Sequence, residues 1–183
     1  NISLPFSFRY YGNVYNAIQV STNGWIAMAG SNTASGGYGV TIPNGAAPNN
    51  VIHAISADLD FRGGANPATI DYFTDGVAPN LKFVVCYTSI KFLSPATGTA
   101  DVQVILYEGT NVIEIHTSSC TNTTVGKTQG IENSTGTVAS VAPGRNNTTS
   151  WSGFTNAYRF TPDVINFTWS PSTGLNTTTG ASV

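Results

Sequence analysis

Three apolar runs stand end to end between Leu81 and Thr117, and they leave little room for anything but a β fold. Lys82–Ile90 and Asp101–Tyr107 are rich in Val, Ile, Phe and Tyr, the side chains that fit a pleated surface. Val112–Thr117 alternates: Ile113 and Ile115 point one way, Glu114 and His116 the other. That is the period of two expected of a strand with one wet face. A helix needs apolar positions three and four apart, and none of these runs supplies them. Ser94–Thr99 and Glu108–Asn111 are turn-rich, so the stretch is predicted to be an antiparallel meander.

The rest of the chain extends the pattern. Leu4, Phe6, Phe8 and Tyr10 alternate with neighbours that suit an outer face, and Pro5 suits an edge position, where its missing N–H goes unnoticed. Asn23-Gly24 between Ala17–Ser21 and Trp25–Met28 is a hairpin signal, because the favoured two-residue turn needs positive φ. Val51–Ala57 is nearly continuous in apolar residues, as a central strand covered on both faces would be. Thr69–Thr74, Thr128–Asn133, Val138–Val141 and Ala157–Pro162 read as further strands, and residues 30–50 as a long loop, functional or variable. The expected fold class is therefore all-β: an antiparallel β-sandwich of jelly-roll-like character over residues 1–162. Residues 163–183 read as a linker and the first strand of a second module, or as a strand that pairs with a neighbouring subunit. The opening residues, Asn1–Pro5, read as the middle of a longer protein.

Charged residues make up only 9% of the chain, against about 25% in an ordinary globular protein. The surface must then be built from Asn, Thr, Ser and Gly, and weak self-repulsion suits an array or filament. A net charge of −2 gives no reason to expect nucleic acid or an anionic membrane as partner. No apolar run is long enough to span a bilayer, so no membrane insertion is expected.

Candidate chemistry is sparse. Asp58, Asp60, Asp71 and Asp75 fall close together, with Gly63-Gly64 to let carbonyls approach, and such oxygens suit Ca²⁺; the simpler reading is a strand end and a turn. Paired carboxylates also serve glycosidases, but only with one held protonated in an apolar pocket. Cys86 and Cys120 belong to no Cys-x-x-Cys pair; a disulfide between them is geometrically open, and a buried free thiol is the equal alternative. His53 reads as a core residue, while His116 shares a wet strand face with Glu114. No Gly-x-Ser-x-Gly elbow occurs and no thiol has a histidine nearby in sequence, so no catalytic residue is expected. Tyr38 and Trp151 are the aromatic candidates for stacking on a sugar, Trp151 because it sits in a Ser/Thr-rich loop. Asn-x-Ser/Thr sequons lie at Asn122, Asn133, Asn146, Asn147, Asn166 and Asn176, as well as at Asn1, in a chain whose composition makes them common.

One resemblance gathers these pieces. Leu4-Pro5-Phe6 with Tyr11-Gly12, Val20–Ile26, Ala57–Asp60, Ala78-Pro79-Asn80, Leu106–Asn111, Thr128–Asn133, Pro143–Asn146 and Tyr158–Pro162 occur in order. In this series the chain resembles a module of large secreted surface proteins of Bacteroidota bacteria, and through Asp60 it looks like the NIDO domain of nidogen and related adhesive proteins. Phe167–Leu175 is similar to the opening of the immunoglobulin- or PKD-like repeats strung along such proteins. The resemblance implies type IX secretion, display on the outer cell surface and a role in adhesion or gliding. Its partners would be neighbouring modules of the same long chain or filament, or surface glycans. It implies no catalytic residues; no cofactor is expected beyond the Ca²⁺ that the aspartates could hold. A filament protomer joined through its tail and a carbohydrate-binding domain of a secreted enzyme are the alternatives.

Overall fold

A computed structural model describes residues 1–31, 33, 39–62, 67–93, 97–149, 151 and 155–162. Twelve strands and no helix are present among them. The first sheet runs in the order β1 (Ile2–Tyr10), β2 (Asn13–Val20), β3 (Trp25–Met28), β4 (Val51–Ser56), β10 (Thr128–Glu132) and β11 (Ala139–Val141). The second runs β12 (Asn156–Phe160), β9 (Ile113–Cys120), β8 (Thr99–Tyr107) and β7 (Lys82–Phe92). The far edge of β7 is shared by β5 (Leu59–Asp60) and β6 (Thr69–Asp75). Every pairing is antiparallel, so the meander and the sandwich expected from the sequence are both present.

The core lies between the sheets, where Phe8, Ile18, Ile26 and Ile52 from one meet Val85, Tyr87, Val104, Leu106 and Ile115 from the other. Each such side chain contributes about 1.5–3 kcal/mol on leaving water. Tyr87 adds a polar tie across the sandwich, donating its hydroxyl proton to Trp25 O at 3.1 Å. Tyr10 ties strands of the first sheet to one another: from β1 it donates to Val51 O at 2.6 Å and accepts from Glu132 N at 3.1 Å.

Two bulges interrupt the second sheet at one level. β7 slips against β8 between Tyr87 and Ile90, and β9 slips against β8 between Asp101 and Val102. Asp101 serves both: its Oδ1 accepts from the N–H of Ser89, which sits at φ +54°, and its carbonyl accepts from Ser118 Oγ at 3.3 Å. A bulge adds one residue and so reverses which side chains face inward beyond it.

Residues 39–50 are not a free loop. They lie as a strap over the outer face of the first sheet. Thr128 Oγ1 donates to Val40 O, the Asn146 amide makes paired bonds of 2.9 and 2.8 Å to Ile42 N and O, and Asn44 N donates to buried Glu132. Ile42 is buried directly over Gly130, where even a Cβ would lie 3.1 Å from Ile42 Cδ1 and 2.5 Å from Ser140 O. On the same sheet, every residue of β4 is buried, and Trp25, Ala27 and Val51 form a second, smaller apolar cluster.

His53 lies in β4 opposite Trp25 and Gly130, fully buried, with neither ring nitrogen hydrogen-bonded among the described residues. Burial holds its pKa down to about 4, against 6.5 when exposed. The unfolded chain therefore binds the proton first, and stability is lost as pH falls from 6.5 through 4. The full loss is about 3 kcal/mol. Chemical denaturation of wild type and His53→Leu at a series of pH values should show this slope in wild type and its absence in the variant.

Candidate functional site

One edge of the sandwich stands open. β11 ends the first sheet and β12 ends the second, and neither has a strand partner on its outer side among the described residues. Between them runs a groove of about 380 Å³ that continues into a neighbouring hollow of about 300 Å³, the two sharing Ile131, Ser140, Phe160 and Thr161. The alternation of β12 turns Tyr158 and Phe160 inward and leaves Ala157 and Arg159 outside. Ile113 and Ile131 complete an apolar floor.

The Phe160 end of the groove is closed by the β1–β2 turn. Tyr11 and Gly12 both take positive φ there, +44° and +84°, and the Tyr11 hydroxyl donates to Ile131 O at 3.3 Å. Asn111, at φ +54°, accepts from Arg9 N at 2.8 Å through Oδ1 and so links that turn to the β8–β9 loop. Non-glycine residues rarely hold positive φ, and here two chain-distant segments, at Tyr11 and at Asn111, share the cost at one groove. Arg9 is exposed, donates to Gly12 O at 3.2 Å, and forms no ion pair among the described residues.

Beside the groove lies a buried cationic knot. Arg145 is sandwiched between the rings of Trp151, 4.3 Å from its guanidinium carbon, and Tyr158, 4.7 Å away. Its Nη1 donates to Gln129 Oε1 at 2.6 Å. Lys127, fully buried, donates to the carbonyls of Asn122, Val125 and Thr149 and faces the rings of Trp151 and Phe92. Desolvation pulls both pKa values down, and neither cation meets a carboxylate among the described residues. Carbonyl dipoles and ring faces take the place of a counter-ion. This overturns the reading of Trp151 as a sugar platform: it is 8% exposed, and its Nε1 donates to Lys127 O. The ring lies over two cations, Lys127 and Arg145. Tyr38 lies outside the described residues.

A profile of the NIDO-related family matches residues 1–174. The chain belongs to that family. Such a domain is typical of extracellular proteins, and among the described residues no helix is long and apolar enough to cross a membrane. Comparison with curated proteins and with solved structures returned no match.

The NIDO-related fold also sorts the remaining site residues. Cys86 and Cys120 are both free, so the disulfide is not formed. Cys86 faces outward from β7 and accepts from Gln103 Nε2 at 3.1 Å. Simple alternation would put Cys120 on the same side as Glu114 and His116, but the β9 bulge turns it into the core. The four aspartates do not converge. Asp60 is clamped by Arg62, with bonds of 2.8 and 3.0 Å that hold its carboxyl down to about 2. Asp71 accepts from Thr69, while Asp75 sits four residues along the same strand, roughly 13 Å away by strand geometry. No group of three His, Cys, Asp or Glu side chains able to hold a metal occurs among the described residues.

Of the sequons, Asn122 is buried and spends its amide on Thr97 O at 2.7 Å, so it cannot accept a glycan in the folded domain. Asn146 pins the strap, Asn133 Oδ1 accepts from Thr137 and Val138 N–H in a local turn, and Asn147 is exposed. Asn166 and Asn176 lie outside the described residues. The groove itself has no local signature, since residues 9–12, 111–113, 131, 140 and 160 meet only in the folded chain.

Two outcomes follow from this arrangement. Trp151→Ala should lower unfolding free energy by about 3–5 kcal/mol in denaturant titration, the cost of an emptied aromatic site. Thiol titration with a disulfide reagent should find Cys86 alone reactive in the native protein and both cysteines after denaturation, because burial raises the Cys120 pKa and hides it.

Proposed function

We propose that this NIDO-related chain is a non-enzymatic module of a large bacterial cell-surface adhesin, exported by the type IX route and acting in attachment or gliding-type adhesion. The observation that carries the reading is the groove between β11 and β12. It is apolar on its floor, polar on its rim and left open by both sheets. A contact surface needs that combination, with a dehydrated centre to supply affinity and a wet rim to supply selectivity. The low charge of the chain supports the same reading, since modules crowded along a surface must not repel one another.

A second reading has its own support. β6 is exposed along nearly all of its length, with Tyr72 and Phe73 about half open to solvent, and its outer side is unpaired among the described residues. An edge of this kind can join copies into a filament, though Asp71 and Asp75 blunt it. The 163–183 tail that would join such copies lies outside the described residues. The reading as a carbohydrate-binding domain loses Trp151 as a stacking face through its burial, while Tyr38 lies outside the described residues.

Flow-detachment assays test the adhesive reading. Beads coated with the full chain should stay on bacterial surfaces at shear that strips beads coated with heat-unfolded chain. Phe160→Ser with Tyr11→Ser should cut retention severalfold without loss of fold by circular dichroism. Equal retention for folded, unfolded and doubly substituted chain would contradict it.

A further inference from the structure

We infer that the β11–β12 groove takes an extended acidic peptide, which adds itself as a strand beside β12; this deepens the adhesive reading and rests on it. The backbone provides the first argument. β12 pairs with β9 through all five of its residues, from Asn156↔Thr117 to Phe160↔Ile113, and its other side is unpaired among the described residues. Backbone groups on an unpaired edge form a template for any extended chain, whatever its sequence.

The floor provides the second. Tyr158 and Phe160 from β12 and Ile131 from β10 are half-buried, so they are neither filled in by the domain nor left wholly to water. A strand laid along β12 points alternate side chains down onto these residues and the others out to solvent. The bound segment must therefore carry apolar side chains at every second position.

Charge selects among such segments. Among the described residues, no carboxylate lines either part of the groove. Two cations do: Arg159 is occupied by Glu114 at 3.0 Å, whereas the Arg9 side chain has, among the described residues, the Gly12 carbonyl and no carboxylate. Asn111 holds the Arg9 backbone, which fixes the root of the side chain at the Phe160 end. An Asp, a Glu or a terminal carboxylate at that end would give Arg9 the paired, charge-assisted bonds it lacks. A basic segment would be repelled there.

Selection from a random displayed peptide library on the immobilised full chain tests the inference. Enriched sequences should alternate apolar and polar residues and carry a carboxylate near one end. A synthetic copy of an enriched peptide should bind Arg9→Glu about tenfold more weakly, a loss of about 1.4 kcal/mol. Replacing its carboxylate residue by lysine should restore binding to that variant. Arg9 is exposed, so the variant keeps its fold, and Phe160→Ser gives an independent loss through the floor. No enrichment over heat-unfolded chain, or enriched peptides indifferent to both substitutions, overturns the inference. Sedimentation showing an Arg9-dependent dimer overturns it as well, by assigning the groove to a second copy. Beads that adhere as before while no peptide is enriched would sink this inference alone and leave the adhesive reading standing.

Discussion

The second face of β4 decides the shape of this domain. A strand as apolar as Val51–Ser56 must be covered on both sides, and the opposite sheet can cover only one. The strap at 39–50 lies on that other side of the same sheet, seated on the neighbouring strand β10. It is held by a threonine, an asparagine and a glutamate that come from β10 and the loop beyond β11, not from the strap itself. Gly130 allows the close approach, since any side chain there would strike Ile42 and the Ser140 carbonyl. Folding the strap down therefore also fixes β10 and β11, and with them the position of the first sheet's edge.

Among the described residues, the second sheet has no such cover. Its outer face carries a polar network, in which Glu114 bonds Tyr107, His116 and Arg159 at 2.8–3.0 Å. That network ties β12 to β9 from outside while Tyr158 grips Arg145 from inside. β12 is thus well held on the side facing the domain, although nothing described pairs with its other side. The buried cations make sense in this setting. Lys127 and Arg145 knit together the loops at 122–125 and 145–151 where little aliphatic surface is available, and they need no acid because carbonyls and ring faces surround them.

Period-two patterns make the strands legible in the sequence alone, and the unbroken apolar run of β4 announces that it is covered twice. What covers it is not legible there, because a strap of Pro, Asn and Gly looks like any variable loop until its hydrogen-bond partners come from residues 128, 132 and 146. Parity misleads at Cys120, where one inserted residue in β9 reverses the face that alternation assigns. Trp151 misleads for another reason. Its surroundings in the sequence are polar, yet its ring faces Lys127 and Arg145, and two basic residues amid so few charges are the available signal that an aromatic is drawn inward. The groove is illegible in principle, for it is made by the ends of two sheets and by a turn more than a hundred residues away.

The central claim is an asymmetry, with the first sheet covered on its outer face by the strap seated on β10 and the sandwich left open between β11 and β12. Residue-resolved amide hydrogen exchange on the full chain tests it most directly. Amides of β4, β8 and β10 should exchange only through global unfolding, with those on the outer sides of β11 and β12 faster by orders of magnitude. Protection on the outer side of β12 equal to that of β8 would mean the edge is already paired, and the account would be contradicted.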